Sequence, residues 1–342
     1  MFCFETKTGF KIETPTEFNG YKFIEFLSNG QFSTVAKVEE IETGEIYAAK
    51  IISMRDMEVR NQVKMISNEI QILQSIDHPN IIKLFETYFI QNEDNELFLV
   101  MIIEYCPNGD LVQFISNGGL KNEEEKRRIE FQVLEAIEFI HEIGIAHCDL
   151  KPDNILLDEK LTPKLCDFGL SKDIHGDNHG IMNGCLQYSA PELLDNEKDI
   201  DYLKADVFAI GITFYVITEL KLPYVEGTTI KKGKLEIASH DDEINEFVEK
   251  CTKMNPNERP TITDLLDEGF FSTNDEIYEE EEEVDDEGNW VSDEDDSSKE
   301  DACIIDNKHY QKDISKSVND KNNDIVVFNG VDKLLDKPEI EI

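Results

Sequence analysis

The chain has 342 residues, 40% of them hydrophobic, enough for one large domain or two modest ones. Its formal net charge of −41 excludes non-specific attachment to nucleic acid or to an anionic membrane surface. No apolar run approaches the ~18 residues of a membrane span, no signal peptide is expected, and seven cysteines without CxxC pairing fit reduced thiols in a cytosolic or nuclear protein.

Residues 1–17 carry no clear pattern and are expected to be a leader or an edge contact. From Tyr21 the pattern becomes strand-like, through Phe23, Phe26 and Leu27 to a turn at Ser28-Asn29-Gly30-Gln31-Phe32-Ser33. Val35, Ala36 and Val38 then predict a second strand, and Tyr47-Ala48-Ala49-Lys50 lies in a third. A small-residue turn over a strand that carries a buried lysine could form a lid over phosphates, since backbone N–H groups can approach them there. By itself that turn reads equally well as an ordinary hairpin.

Val59, Val63, Ile66, Ile70 and Leu73 recur at helical spacing and predict a helix over 56–76, with Glu69 near its apolar face, where a charge needs a partner. Two strands follow, 81–88 and 97–103, then the connector Glu104–Asp110. Asn122 and the acids after it predict the capped start of a long helix with Ile129, Val133, Leu134, Ile137 and Ile140 as its buried stripe. The apolar stretch 207–220, headed by Asp206, reads as a core helix. Two further helices are expected near Ile244–Cys251 and after Thr261, and folded structure is expected to stop near Phe271.

The segment that organises the rest is His147-Cys148-Asp149-Leu150-Lys151-Pro152-Asp153-Asn154, followed thirteen residues after Asn154 by Asp167-Phe168-Gly169. One carboxylate to take a proton, plus an amide and a second carboxylate to hold Mg²⁺, is what phosphoryl transfer requires. Any one of these groups could be an incidental surface charge, and His147 alone reads as a packed structural histidine.

Taken together in order, these motifs resemble the eukaryotic protein kinase family of serine/threonine type over about residues 18–271. The resemblance implies an α+β bilobal fold: a β-rich N-lobe (18–104) and a helical C-lobe (105–271), with ATP between them. It assigns Asp149 as catalytic base, Lys151 as the γ-phosphate lysine typical of the Ser/Thr branch, and Asn154 and Asp167 as Mg²⁺ ligands. Lys50 would hold the α- and β-phosphates and pair with Glu69. Leu27, Val35, Ala48 and Leu156 would sandwich the adenine beside the gatekeeper Ile103 and Glu104, under the phosphate loop Ser28–Ser33. Asp206 and the Glu192–Arg259 pair would be C-lobe struts, and Leu73, Leu84, His147 and Phe168 a hydrophobic column joining the lobes.

Three departures qualify this. The phosphate loop has one glycine where the family usually has three. Cys148 replaces the arginine that would grip a phosphate on the activation segment, and between Asp167 and Gly184 the only hydroxyl residue is Ser171. Activity is therefore expected not to need phosphorylation there. Cys185 stands where a threonine usually bonds the catalytic aspartate and lysine. The alternative to an active enzyme is a pseudokinase that serves as a nucleotide-binding scaffold.

Protein substrates are implied, with no nucleic-acid, membrane or calmodulin partner. Asp110 and Asp153 occupy positions that in basophilic relatives receive an arginine. Residues 272–342 form an acid-rich tail, with sixteen acids and one lysine between Asp275 and Asp301, expected to be largely disordered.

Overall fold

The computed structural model describes residues 2–5, 11–14, 17–29, 33–55, 62–91, 96–120, 122–175, 184–194, 200–224, 235–272 and 326–329. Strands β1 (Phe2–Glu5) and β2 (Lys11–Thr14) pair as a separate antiparallel hairpin. The leader therefore contains paired strands, which its short, weakly alternating sequence did not announce.

The first lobe is built on one antiparallel sheet. Its strands are β3 (Glu17–Phe18), β4 (Tyr21–Asn29), β5 (Ser33–Glu40), β6 (Ile46–Ser53), β7 (Leu84–Gln91) and β8 (Leu97–Glu104). A seventh strand, β13 (Val326–Asn329), from the far end of the chain, completes the order β13-β7-β8-β6-β5-β4-β3. Strand β5 shows why the alternation is legible: Thr34, Ala36 and Val38 are buried, while the residues between them are half-exposed. Helix α1 (Val63–Ser75) lies across the sheet with Ile66, Ile70, Ile72 and Leu73 buried. The predicted residues 56–61 of that helix lie outside the described residues.

The second lobe is helical. It comprises α2 (Leu111–Ser116), α3 (Glu123–Glu142), α4 (Pro191–Leu194), α5 (Tyr202–Glu219), α6 (Asp242–Cys251) and α7 (Ile262–Asp267). Short strands β9 (Ile145–Ala146), β10 (Ile155–Leu157), β11 (Pro163–Leu165) and β12 (Lys172–Asp173) pair as β10–β11 and β9–β12 and hold the loops between them.

In α3 all five predicted stripe residues are buried, each worth roughly 1.5–3 kcal/mol on transfer from water. Asn122 Oδ1 accepts from the Glu124 N–H at 3.2 Å and caps that helix. Helix α5 is buried on every side from Ala205 to Ile217. Asp206 does not head it. The helix starts four residues earlier, at Tyr202, where the Asp201 carboxylate accepts from the Lys204 N–H at 3.1 Å. The first turn is polar, so the apolar run marks only the buried part.

Candidate active site

Four adjacent strands bring the first group of candidate residues together. The register Ser28↔Val35↔Lys50↔Met101 crosses β4, β5, β6 and β8, and Ala48 stands opposite Ile103. Ala48 is buried, Val35 and Ile103 are half-buried, and Leu27 is exposed. Side chains two apart on a strand share a face, so Ala48 and Lys50 point the same way. Ser28 and Asn29 end β4 and Ser33 opens β5. Gly30, Gln31 and Phe32 of the expected phosphate loop lie outside the described residues. Glu104 follows Ile103 and is tied by its carboxylate to Lys164 Nζ at 2.7 Å. Leu156 packs on the core from β10.

Lys50 Nζ donates to both oxygens of Glu69, at 2.7 and 2.9 Å. Burial works against its charge, but the Glu69 and Asp167 carboxylates more than offset this and raise its pKa. Asp167 is exposed as a residue, yet the protein packed around its carboxyl opposes ionisation. The Lys50 and Lys151 ammonium groups, with His147 beside them, outweigh that effect and hold its pKa below the usual carboxylate range. Lys50 thus faces an ionised Asp167 as well as Glu69.

The second group sits in the loop between β9 and β10. Lys151 Nζ donates to Asp149 Oδ2, and Asn154 Nδ2 donates to the Asp149 carbonyl at 2.8 Å and to Oδ2 at 3.0 Å. Asn154 uses its amide nitrogen on Asp149, which leaves its carbonyl oxygen available to a cation. Two oxygen donors, Asn154 and Asp167, suit a Mg²⁺ whose other ligands are phosphate oxygens and water. Among the described residues no cluster of three His, Cys, Asp or Glu forms an all-protein cage.

This loop hangs from a buried carboxylate. Asp206 accepts from the His147 N–H at 2.6 Å, the Cys148 N–H at 2.8 Å and His141 Nε2 at 3.0 Å. Cys148 and Asp167 adopt positive φ, 65° and 66°, so the loop and the Asp167 turn are held in a costly backbone conformation. His147 is fully buried, with Nε2 3.0 Å from the Cys166 carbonyl and its ring edge-on to Phe168 at 4.9 Å. It packs rather than reacts. Leu73, Leu84 and Phe168 belong to the same core.

Sequence reasoning missed two residues. Asn68, beside Glu69, donates to the carbonyls of Phe168 at 3.3 Å and Ser171 at 3.0 Å, pinning α1 to the Asp167 turn. One polar residue on a helix flank carries no sequence signal. At Gly184 a Cβ would lie 3.1 Å from the Cys148 carbonyl and 3.5 Å from Asp149 Oδ1, so a side chain there would press on the Cys148 backbone.

Cys185 reaches Asp149 differently from a threonine. Its backbone N–H donates to Asp149 Oδ1 at 3.1 Å, while its thiol contacts Gln187 at 3.7 Å. Ser171 is buried, and its hydroxyl donates to the His147 carbonyl at 3.2 Å. Cys148 and Cys166 have pKa values raised chiefly by burial, so neither is a reactive thiolate. Asp110 does not stand free: its carboxylate caps α2, accepting from the Gln113 N–H at 2.9 Å.

The protein kinase domain family model matches residues 21–271. The chain belongs to the protein kinase family. Among its relatives is 3-phosphoinositide-dependent protein kinase B of Dictyostelium discoideum, 34% identical over 267 residues, which cover 74% of this chain and 28% of that protein. Serine/threonine-protein kinase cds1 of Schizosaccharomyces pombe is 31% identical over 279 residues (75% and 60%). Sucrose non-fermenting protein kinase 1 of Fusarium virguliforme is 32% identical over 277 residues (78% and 38%). The chain thus spans between 28% and 60% of the length of these relatives. A kinase domain of this family uses ATP and a divalent metal and acts on proteins. No helix among the described residues is long and apolar enough to cross a membrane.

Proposed function

We propose that this kinase transfers the γ-phosphate of ATP to serine or threonine hydroxyls of protein substrates. The observation that carries the reading is the closed set of contacts joining Lys50 to Glu69 and Asp149 to Lys151 and Asn154, with Asp167 beside both lysines. Asp149 accepts the proton of the substrate hydroxyl, and Lys151 steadies the phosphoryl group as charge develops on it. Lys50, kept in place by Glu69, holds the α- and β-phosphates. Asn154 and Asp167 hold Mg²⁺, which when bound neutralises charge across the β- and γ-phosphates. Leu27, Val35, Ala48, Leu156 and Ile103 enclose the adenine, and Ser28–Ser33 cover the phosphates. Catalysis is by positioning and electrostatics, not by a covalent intermediate.

Transfer runs without phosphorylation of the activation segment: Cys148 cannot grip a phosphate, and the lone hydroxyl, Ser171, is buried and engaged. Substrates carry arginine or lysine upstream of the acceptor, received chiefly by Asp153, because Asp110 is committed to its helix cap. Free cysteines fit a cytosolic or nuclear site of action.

The test is radiolabelled ATP transfer to a generic protein substrate, wild type against Asp149→Asn. Removing the base should lower the rate on the order of 10² or more while the thermal transition stays put. Equal transfer by the two proteins would leave the pseudokinase reading.

A further inference from the structure

Without β13, the six strands β3–β8 form a sheet that ends differently on its two sides. One end is β3, two residues long; the other is β7, eight residues with Tyr88, Phe89 and Ile90 buried. A long apolar edge strand of this kind offers a row of unpaired N–H and C=O groups to any extended chain, and proteins normally cover it. Here the cover comes from the same polypeptide. Strand β13 runs antiparallel to β7 in the register Val326↔Gln91, Val327↔Ile90, Phe328↔Phe89 and Asn329↔Tyr88.

The sequence suits the task. After the acid-rich stretch, Ile325-Val326-Val327-Phe328 is a β-branched and aromatic run closed by the turn dipeptide Asn329-Gly330. We propose that residues Val326–Asn329 are the intramolecular occupant of a strand-accepting edge on β7, and that this edge is a docking site for extended peptide segments.

Main-chain hydrogen bonds supply the affinity in such strand addition, and alternate side chains supply specificity. Four residues make few such bonds, so the pairing is weak between separate molecules. Covalent linkage through the chain between Ser272 and Val326 replaces an encounter in solution with an intramolecular one, whose extent does not depend on protein concentration. A latch of that strength holds yet can be displaced by a competing strand. Helix α1 also packs against β7, so the latch braces the layer that carries Glu69.

The test is hydrogen–deuterium exchange at the outward-facing amides of 88–91 in the full chain, in full chain carrying Val327→Pro, and in a chain ending at 272. Proline removes an N–H and obstructs the ladder while leaving the sequence of residues 21–271 unaltered. Both altered proteins should exchange these amides about tenfold faster or more, with the α3 amides unchanged as an internal control. A synthetic peptide of residues 322–333 at mM concentration should restore protection to the shortened chain. Equal exchange in all three proteins would overturn the proposal, as would failure of the peptide to protect. Protection of the full chain that appears only as its concentration rises would assign the strand to a second copy and overturn the intramolecular occupant.

Discussion

Two buried ion pairs can be compared directly. Lys50 and Glu69 join a strand to a helix in the first lobe; Arg259 and Glu192 join the loop before α7 to α4 in the second. Both lysine and arginine donate to the two oxygens of their carboxylates at 2.6–2.9 Å. Their surroundings differ. Arg259 has a side chain 0% exposed and also donates to the carbonyls of Lys204 and Lys253, at 2.8 Å each, under the ring of Phe208. Lys50 is 17% exposed, and its ammonium bonds Glu69 alone. A fully enclosed cation that spreads four hydrogen bonds over three protein partners is a strut. A cation with spare donor capacity at a cleft, facing a second carboxylate, is placed to accept a ligand.

That contrast predicts opposite phenotypes. Lys50→Met should lower phosphoryl transfer on the order of 10² or more, read by steady-state kinetics, because a preorganised charge on the phosphates is lost. Arg259→Met should leave Glu192 buried and unpaired and cost roughly 3–5 kcal/mol of stability, read by denaturant unfolding. The stability cost of Lys50→Met should be smaller, since the Lys50 side chain is 17% exposed and bonds Glu69 alone, whereas Arg259 also holds the Lys204 and Lys253 carbonyls. Comparable costs would erase the distinction between the pairs.

A smaller effect belongs to Cys185. A threonine there should add a hydroxyl bond to the Asp149–Lys151 pair and raise the rate roughly 2- to 10-fold, the span of one ordinary hydrogen bond. An unchanged rate would mean that the backbone N–H from residue 185 already suffices.

The smallest effect is on Glu219, a carboxylate held by hydrogen bonds more than by charge. Burial opposes ionisation there, but bonds from Ser239 Oγ, the His240 N–H and the His240 ring outweigh it and lower the pKa to about 2. Its folded pKa is depressed, so its contribution is full above the unfolded value of about 4.5 and drains away as pH falls towards 2. Glu219→Gln should therefore be less stable than wild type at neutral pH, with the gap closing between those values in acid unfolding curves.

The loop that carries Asp149, Lys151 and Asn154 was legible because the proposed chemistry needs particular residue types within a few positions of one another, and these three contact each other across two to five residues. The stripe of α3 was legible because burial on one helix face leaves a 3.6-residue period. Other features left no such trace. The start of α5 was misplaced because its first turn is polar. The cap that Asp110 places on α2 shows only once the backbone path is known. Asn68, Gly184 and the seat of β13 depend on partners more than 30 residues away.

The residue types needed for the chemistry, their order and the two-lobed class were determined by the sequence itself, through local spacing and hydrophobic period. Tertiary structure decided which buried charge is wired to which. It closed Lys50 on Glu69 across 19 residues, hung the His147–Cys148 backbone on Asp206 across 58 and 59, and locked Arg259 to Glu192 across 67. A buried charge must find a partner, but chain distance does not say which one. Only the folded path, by filling or sparing the donors of each cation, separates the lysine placed for a ligand from the arginine that holds the fold.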